Sequence, residues 1–314
     1  MESLKLSFNA ISPIFILMLL GYFLKKIDVV EKKTFDSINK LVFKVFLPVL
    51  LFYNLYKTDI GSVFDVKLIV FSIVGVLAVF VLGYFAVLGF TKDNAKRGVM
   101  LQGFFRSNFA ILGMPLIAHI CGENSGGLAA LVLGVVVPLF NVLAVLALER
   151  FCGGKNKPDI LQVLKGIIKN PLIIGCFVGI VFLVTGIKLP VIAEKSVKDV
   201  SSVATPLALI VLGAKFEYST VKESVKELII AVSARLVFVP LVMIAAAVLL
   251  GFRGEALACI LITFGAPVAV SSFSMAQQMG GDEHLAAHLV IMSSALCLVT
   301  LFGWIFALSY FGWL

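Results

Sequence analysis

Long apolar runs fill this chain from one end to the other, and the short segments between them carry most of its charge. Hydrophobic residues make up 61% of the 314 positions and charged residues only 14%, against about 25% in soluble domains. A membrane-spanning helix uses about 20 apolar residues, so ten such helices would leave about 11 residues for each connection. This composition excludes a disordered chain and a disulfide-stapled secreted domain, and it leaves no room for a large soluble domain. We therefore predict an all-α integral membrane protein.

Ten transmembrane helices are expected from the apolar runs. The first run ends in Lys25 and Lys26 and lacks the features of a cleaved signal peptide, so we interpret it as a spanning helix. The ten spans are placed at about residues 7–25, 38–56, 68–90, 98–119, 128–149, 171–187, 199–216, 227–251, 256–279 and 286–310.

Lys and Arg are distributed unevenly between the two sides of these spans. If the N-terminus lies outside, the inner segments hold 17 of these basic residues and the outer segments hold 7. Basic residues favour the cytoplasmic side, so we predict a multi-pass protein of the inner (plasma) membrane with both termini extracytoplasmic. The net charge of +8 is then explained by loops that face anionic lipid of the bilayer, and no nucleic-acid partner is expected.

The two halves of the chain repeat each other at a nearly fixed offset. Pro13 and Pro171 are 158 residues apart, as are Pro48 and Pro206. Each half holds five spans, an odd number, so the second copy would enter the membrane upside down. Inverted repeats with interrupted helices are typical of membrane proteins that carry solutes across the bilayer.

The repeat predicts the organisation of the chain. Residues 1–157 form the first inverted repeat with spans 1–5, and residues 171–314 form the second with spans 6–10. Residues 158–170 lie between them, and apolar residues recur there at helical spacing. We interpret this linker as an interfacial helix on the inner leaflet.

The fourth and ninth spans carry residues that interrupt a helix. When the halves are aligned, Asn108 corresponds to Pro267, and Ser107 and Pro115 flank the same region of the fourth span. Interrupted backbone inside a membrane persists only where protein or a wet cavity surrounds it. The half-helix after each break would present free N–H groups and a positive dipole end, which together suit a carboxylate. A simple proline kink is the alternative.

Six residues are candidates for substrate binding, and several have alternative roles. Arg106 could attract an anion, bond the carbonyls freed by the break, or reach the cytoplasmic interface. Asn141 could line the cavity or join two helices, and Ser271 and Ser272 could bind ligand or their own helix carbonyls. Arg235 is expected at the inner interface, with gating as the alternative. The candidate substrate-binding residues are Asn108, Arg106, Asn141, Pro267, Ser271 and Ser272.

The residues around both interruptions resemble the motifs of the auxin efflux carrier family, which includes plant auxin exporters and bacterial permeases for malate and other organic acids. The similar segments are Arg106-Ser107-Asn108 to Gly113-Met114-Pro115 in the fourth span, Ala266-Pro267 to Gln277 in the ninth, and Gly280-Gly281-Asp282 after it. The resemblance covers essentially the whole chain, which looks like a small prokaryotic member without the long cytoplasmic loop of the plant exporters.

This resemblance implies ten transmembrane helices as two inverted five-helix repeats, with helices 4 and 9 broken and crossing at mid-membrane. It also implies a scaffold of helices 1, 2, 6 and 7 and a transport unit of helices 3–5 and 8–10 that moves like an elevator. The family's substrate-contacting asparagine corresponds to Asn108 and its crossover proline to Pro267. The plant exporters have a proline where this chain has Ser107.

We therefore expect a secondary transporter of a small organic anion, a mono- or dicarboxylate that is auxin-like or malate-like, with no enzyme activity, no cofactor and no metal. Coupling to Na+, to H+ or to neither stays open, as do the direction of transport and a homodimeric assembly. Two alternatives remain: a sodium-coupled symporter of amphipathic anions of the bile acid type, and a membrane sensor that binds its ligand without translocating it.

Overall fold

The computed structural model describes residues 2–29, 31–58, 65–109, 113–121, 127–153, 166, 168–216 and 218–314. Throughout these ranges the regular structure is helical. The α-helices are α1 (Glu2–Lys26), α2 (Lys32–Leu41), α3 (Leu47–Lys57), α4 (Val66–Phe90), α5 (Asn94–Phe105), α6 (Met114–Cys121), α7 (Gly127–Cys152), α8 (Pro171–Thr185), α9 (Val191–Lys215), α10 (Val225–Ser233), α11 (Val239–Leu249), α12 (Gly254–Gly265), α13 (Ser271–Gln278) and α14 (Glu283–Tyr310).

Several helices begin where an acidic or amide side chain caps them. The carboxylates of Asp65, Asp93 and Asp282 accept backbone N–H groups at the starts of α4, α5 and α14, and Asn170 does the same for α8. The first N–H groups of a helix have no partner inside the helix, so such caps fix where it starts.

Two wide turns with π-helical bonding that the structure describes in full each join one helix to the next. Val42–Phe46 joins α2 to α3, and Ala234–Phe238 joins α10 to α11. Each turn comes just before a proline, Pro48 or Pro240, in the first turn of the next helix. Proline has no N–H and its ring clashes with the carbonyl four residues earlier. The wide turn relieves that clash, so each pair continues as one bent span.

Six helical stretches in the described residues are long and apolar enough to cross a membrane. They are Lys33–Lys57, Val66–Phe90, Leu128–Cys152, Val191–Lys215, Val221–Leu249 and Glu283–Tyr310. Pro171–Thr185 and Gly254–Gly265 are shorter apolar helices. The protein is therefore a multi-pass membrane protein, and every predicted span overlaps a described helix or a broken pair of helices. The predicted interfacial linker falls mostly on residues 154–165 and 167, outside the described residues.

Glycines bring two pairs of helices into backbone contact. A Cβ atom on Gly21 of α1 would lie 1.9 Å from the carbonyl oxygen of Ile210 in α9, and one on Gly213 of α9 would lie 1.9 Å from that of Met18 in α1. On α8, a Cβ atom at Gly175 would lie 2.5 Å from the carbonyl oxygen of Pro48 in α3. In lipid, such small residues permit the close backbone packing that holds helices together.

The α1–α9 contact gives a direct stability test. Gly213→Leu places a side chain against the backbone of α1, which cannot move without displacing the whole helix. We expect a loss of about 1–3 kcal/mol in unfolding free energy, measured as a lower melting temperature in detergent micelles. Gly89→Leu is the matched control, because no atom lies within 4 Å of a Cβ built there. Equal melting of the two variants would contradict the packing described.

Candidate functional site

Two helices are broken at matching positions, and the two extended segments contact each other; this contact is called the crossing below. The first break lies between α5 and α6 and the second between α12 and α13. Ser107 and Val268 form an isolated antiparallel bridge where the two extended segments meet, and the backbone N–H of Asn108 donates to the carbonyl oxygen of Pro267 at 2.9 Å. The interruptions expected from the sequence are therefore present. Pro115 is the second residue of α6, just beyond the first break. The N–H groups at the start of a helix have no partner within it, so the N–H that proline lacks costs no hydrogen bond there.

Arg235 joins the ends of the two half-helices that lead into the breaks. Its side chain is fully buried. Nε donates to the carbonyl oxygen of Ala266 at 2.7 Å and Nη2 to that of Thr263 at 3.0 Å, both at the end of α12. Nη1 donates to Phe105 at 3.2 Å and to Phe104 at 3.4 Å, at the end of α5.

This position of Arg235 corrects the sequence-based expectation that its side chain reaches the inner interface. The last carbonyl groups of a helix have no partner within the helix and carry the negative end of its dipole. A guanidinium group has five donors in a fixed plane, enough to serve two helix ends at once. Binding the freed carbonyls was one of the three roles open to Arg106, and Arg235 fills it.

Arg106 lies on the other side of the crossing, with neutral partners. Nη2 donates to Asn141 Oδ1 at 2.7 Å and to Ser271 Oγ at 2.8 Å. Nη1 donates to Gln102 Oε1 at 3.1 Å and contacts Met275 Sδ. The side chain is 3% exposed, which excludes the cytoplasmic interface for this arginine. The ion pairs found in the described residues involve lysines and not Arg106.

A cavity of about 70 Å³ lies beside this arginine, large enough for a few water molecules. Its polar wall contains Arg106, Asn108, Asn141 and Ser271, so the structure brings four of the six candidate residues together. The opposite wall comes from α3, α8 and α9 and is mostly apolar; it includes Leu47, Leu50, Leu51, Leu172 and Ala208.

Asn108 lines the cavity and has an unused hydrogen-bond donor. Its side chain is 4% exposed, and Nδ2 has no hydrogen-bond partner within the described residues. Leaving a buried amide donor unpaired costs about 1–3 kcal/mol. A ligand or water acceptor in the cavity would satisfy this group.

The other two candidates, Pro267 and Ser272, do not line the cavity. Pro267 builds the crossing through its carbonyl oxygen. Ser272 is buried, and its backbone N–H donates to Ala269 at 2.9 Å, while that of Phe273 donates to Val270 at 3.2 Å. These two amides at the start of α13 are therefore not free for a ligand, contrary to the expectation of unpaired N–H groups there.

Sequence reasoning missed several residues of the site. Gln102 lies in the last turn of α5, four residues before Arg106, which caps the end of that helix. This helical spacing could have identified Gln102 as a hydrogen-bond partner of Arg106. Asn54 and Thr205 also line the cavity. They come from α3 and α9, far from the breaks in sequence, and no local pattern indicates that they approach them.

The role of Arg235 predicts a large effect on stability. Arg235→Met leaves carbonyl groups of two helix ends unpaired in the core, and we expect a loss of about 3–5 kcal/mol. Arg235→Lys keeps the charge but not the planar set of donors, so an intermediate loss is expected. Melting of the purified variants in detergent measures both. Arg253→Met is the control, because Arg253 is an exposed arginine that also bonds carbonyl groups. If Arg235→Met melted no lower than this control, Arg235 would not stabilise the two helix ends as described.

Comparisons with known proteins identify the family of this chain. The family model described as "Membrane transport protein" matches residues 6–305. An uncharacterized transporter of Methanothermobacter thermautotrophicus is 26% identical over 303 residues, covering 95% of this chain and 97% of its own length. Uncharacterized transporters of Methanocaldococcus jannaschii and Escherichia coli K12 are 25% and 24% identical, covering 93% and 85% of this chain and 96% and 86% of their own lengths. The chain therefore belongs to the membrane transport protein family, that of the auxin efflux carriers.

Proposed function

We propose that this protein is a secondary transporter that carries a small organic anion across the membrane by alternating access. The observation that carries the proposal is Arg106, a buried guanidinium group whose bonding partners are all neutral and which faces a cavity. A buried charge is costly unless an opposite charge accompanies it. An anion in the cavity would supply that charge.

The cavity offers the donors that a carboxylate needs. A guanidinium group such as that of Arg106 can bind a carboxylate through charge-assisted hydrogen bonds. The unpaired Nδ2 of Asn108 and the hydroxyl of Ser271 are further donors on the same wall. Ser271 is also the first residue of α13, so the positive end of that half-helix dipole points to the same place.

The lining favours a monocarboxylate with a small apolar body over a dicarboxylate such as malate. Among the described residues that line the cavity, Arg106 is the one with a positive charge. A second carboxylate would find the neutral side chains of Asn54 and Thr205 on the facing wall but no second positive charge, and the rest of that wall is apolar. A buried carboxylate without a charged partner is strongly disfavoured.

We also propose ten transmembrane helices in two inverted five-helix repeats, 1–157 and 171–314. In support, α5 and α12 start 160 residues apart and end 160 residues apart, each just before a break. The glycine contacts pair α1 with α9 and α3 with α8, which suits a scaffold of spans 1, 2, 6 and 7. The cavity lies between this group and the crossing, where an elevator-like displacement of spans 3–5 and 8–10 would carry the bound anion.

Arg106 provides the test of anion recognition. Purified protein is screened by thermal shift against butyrate, succinate and the neutral butyramide, and then assayed for counterflow in proteoliposomes. We expect butyrate to stabilise most and butyramide least. Arg106→Gln should weaken butyrate binding at least about thirtyfold, because a hydrogen bond to a charged group contributes about 2 kcal/mol.

Arg253→Gln, which alters an exposed arginine outside the cavity, is the control and should bind butyrate as the parent does. Equal stabilisation by butyramide and butyrate would contradict anion recognition. Saturable binding without counterflow would identify a sensor, and uptake that strictly requires Na+ would identify a sodium-coupled symporter.

Asn108 gives a second, independent test. Because the buried Nδ2 bonds to no described protein atom, Asn108→Ala should not lower the melting temperature, whereas it should weaken ligand binding about tenfold, as expected for the loss of one hydrogen bond to a charged ligand. Asn108→Asp adds a negative charge to the cavity wall and should abolish counterflow. Unimpaired counterflow by both variants would exclude Asn108 from the site.

A further inference from the structure

We propose that a network of six polar side chains closes the inner route to the cavity and must separate each time the anion is released inward. Asp36 and Asn39 of α2 and Lys215 of α9 contribute one side. Ser274 and Gln277 of α13 and Glu283 of α14 contribute the other. The inference rests on the proposed function, since a gate presupposes that access alternates between the two sides.

The end of the network nearer the cavity is buried and uncharged. Ser274 Oγ donates to Asn39 Oδ1 at 2.7 Å, and Asn39 Nδ2 donates to Gln277 Oε1. Asn39 and Ser274 are both 0% exposed. These amide and hydroxyl groups are fully paired only while α2 and α13 stay together, so separation requires water to replace each bond.

The outer end of the network is charged and partly exposed. Gln277 Nε2 donates to Asp36 Oδ1 at 3.0 Å and also to Glu283 Oε2. Lys215 Nζ lies 2.5 Å from Asp36 Oδ1 and 3.8 Å from Glu283 Oε2. Asp36 is 49% exposed and Glu283 is 33% exposed. The Lys215 side chain is only 9% exposed, so its charge depends on these two carboxylates, and opening the network requires water to reach Lys215 in their place.

Helix α13 connects this network to the cavity. Ser271 lines the cavity, and Ser274 and Gln277 follow at intervals of three residues. Neighbours three residues apart touch on a helix surface, so these side chains form a row that winds around α13 by about 60° at each step. This row leads from the crossing through the Asn39–Ser274 contact to the charged end. In the proposed gate, the network closes the inner route where this row meets α2.

The basic segments identify this side as the inner one. Lys25, Lys26 and Lys33 come before Asp36, and Lys222 and Lys226 come after Lys215. Concentrations of basic residues mark the cytoplasmic side of a membrane protein.

The test uses Cys176 as a reporter. Its side chain is buried, and its Sγ lies 3.8 Å from Nδ2 of the cavity residue Asn141. In a parent variant the other four cysteines, Cys121, Cys152, Cys259 and Cys297, are replaced by Ala. A membrane-impermeant maleimide is then applied to the cytoplasmic face of inside-out vesicles, and the rate of Cys176 labelling is measured.

Lys215→Asp and Asp36→Lys should each raise that rate about tenfold, because each places like charges together across the network. The double variant restores opposite charges and should return the rate toward that of the parent. Lys57→Asp is the matched control: it breaks the ion pair between Lys57 and Glu194, outside this network, and should leave the labelling rate unchanged.

Gln277→Leu covers the case in which a charge reversal prevents folding. It removes the bonds to Asn39, Asp36 and Glu283 without adding a charge, and it should also raise the labelling rate. Unchanged rates in all single variants, or a double variant that labels as fast as the single variants, would overturn the gate. Labelling needs no substrate, so a failure of anion binding or counterflow would leave this result standing and would count against the proposed function alone.

Discussion

The structure depends on how it satisfies the backbone groups that two broken helices expose inside an apolar core. Arg235 takes the carbonyl groups at the ends of α5 and α12. The bridge between Ser107 and Val268 and the bond from Asn108 to Pro267 pair the extended segments with each other. Backbone groups left unpaired in such surroundings cost several kcal/mol each. The crossing is thus stabilised by Arg235, which serves both helix ends, and by the bonds that the two extended segments make with each other.

The two buried arginines, Arg235 and Arg106, have different surroundings. This difference assigns a structural role to Arg235 and makes Arg106 a candidate binding residue. Arg235 is surrounded by carbonyl oxygens at two helix C-termini, whose partial negative charges offset its own charge. Arg106 meets amide and hydroxyl oxygens and a thioether, which solvate it without neutralising it. Both guanidinium groups are held by several hydrogen bonds, but no described partner of Arg106 neutralises its charge, so that charge is available to a ligand in the cavity.

The sequence predicted the helices from local properties and the breaks from the internal repeat. Apolar runs of about 20 residues define spans wherever they occur. Proline disfavours a continuous helix, but Pro13, Pro138 and Pro206 lie inside unbroken helices, so the break at Pro267 was indicated by its alignment with Asn108 in the repeat. Asn108 and Arg106 could be identified because they stand at such an interruption. Arg235 could not be assigned, since its partners lie about 30 and 130 residues away and its own span is an ordinary apolar run. The partners of Lys215 were beyond sequence reasoning for the same reason: Asp36 is 179 positions earlier, and nothing local relates them.

Helix α13 gives the proposed site and the proposed gate a shared physical basis. It spans eight residues, about 12 Å at 1.5 Å per residue, and is short enough to move as a rigid rod. Ser271 and Met275 contact Arg106 from one part of the rod, while Ser274 and Gln277 bond to Asn39 from another. An anion can favour the open gate only by as much as it binds more tightly to that state. In the proposed mechanism, an anion that draws Arg106 away from Ser271 would remove a bond that fixes the start of α13. Because so short a helix moves as one body, the same displacement would strain the bonds from Ser274 and Gln277 to Asn39.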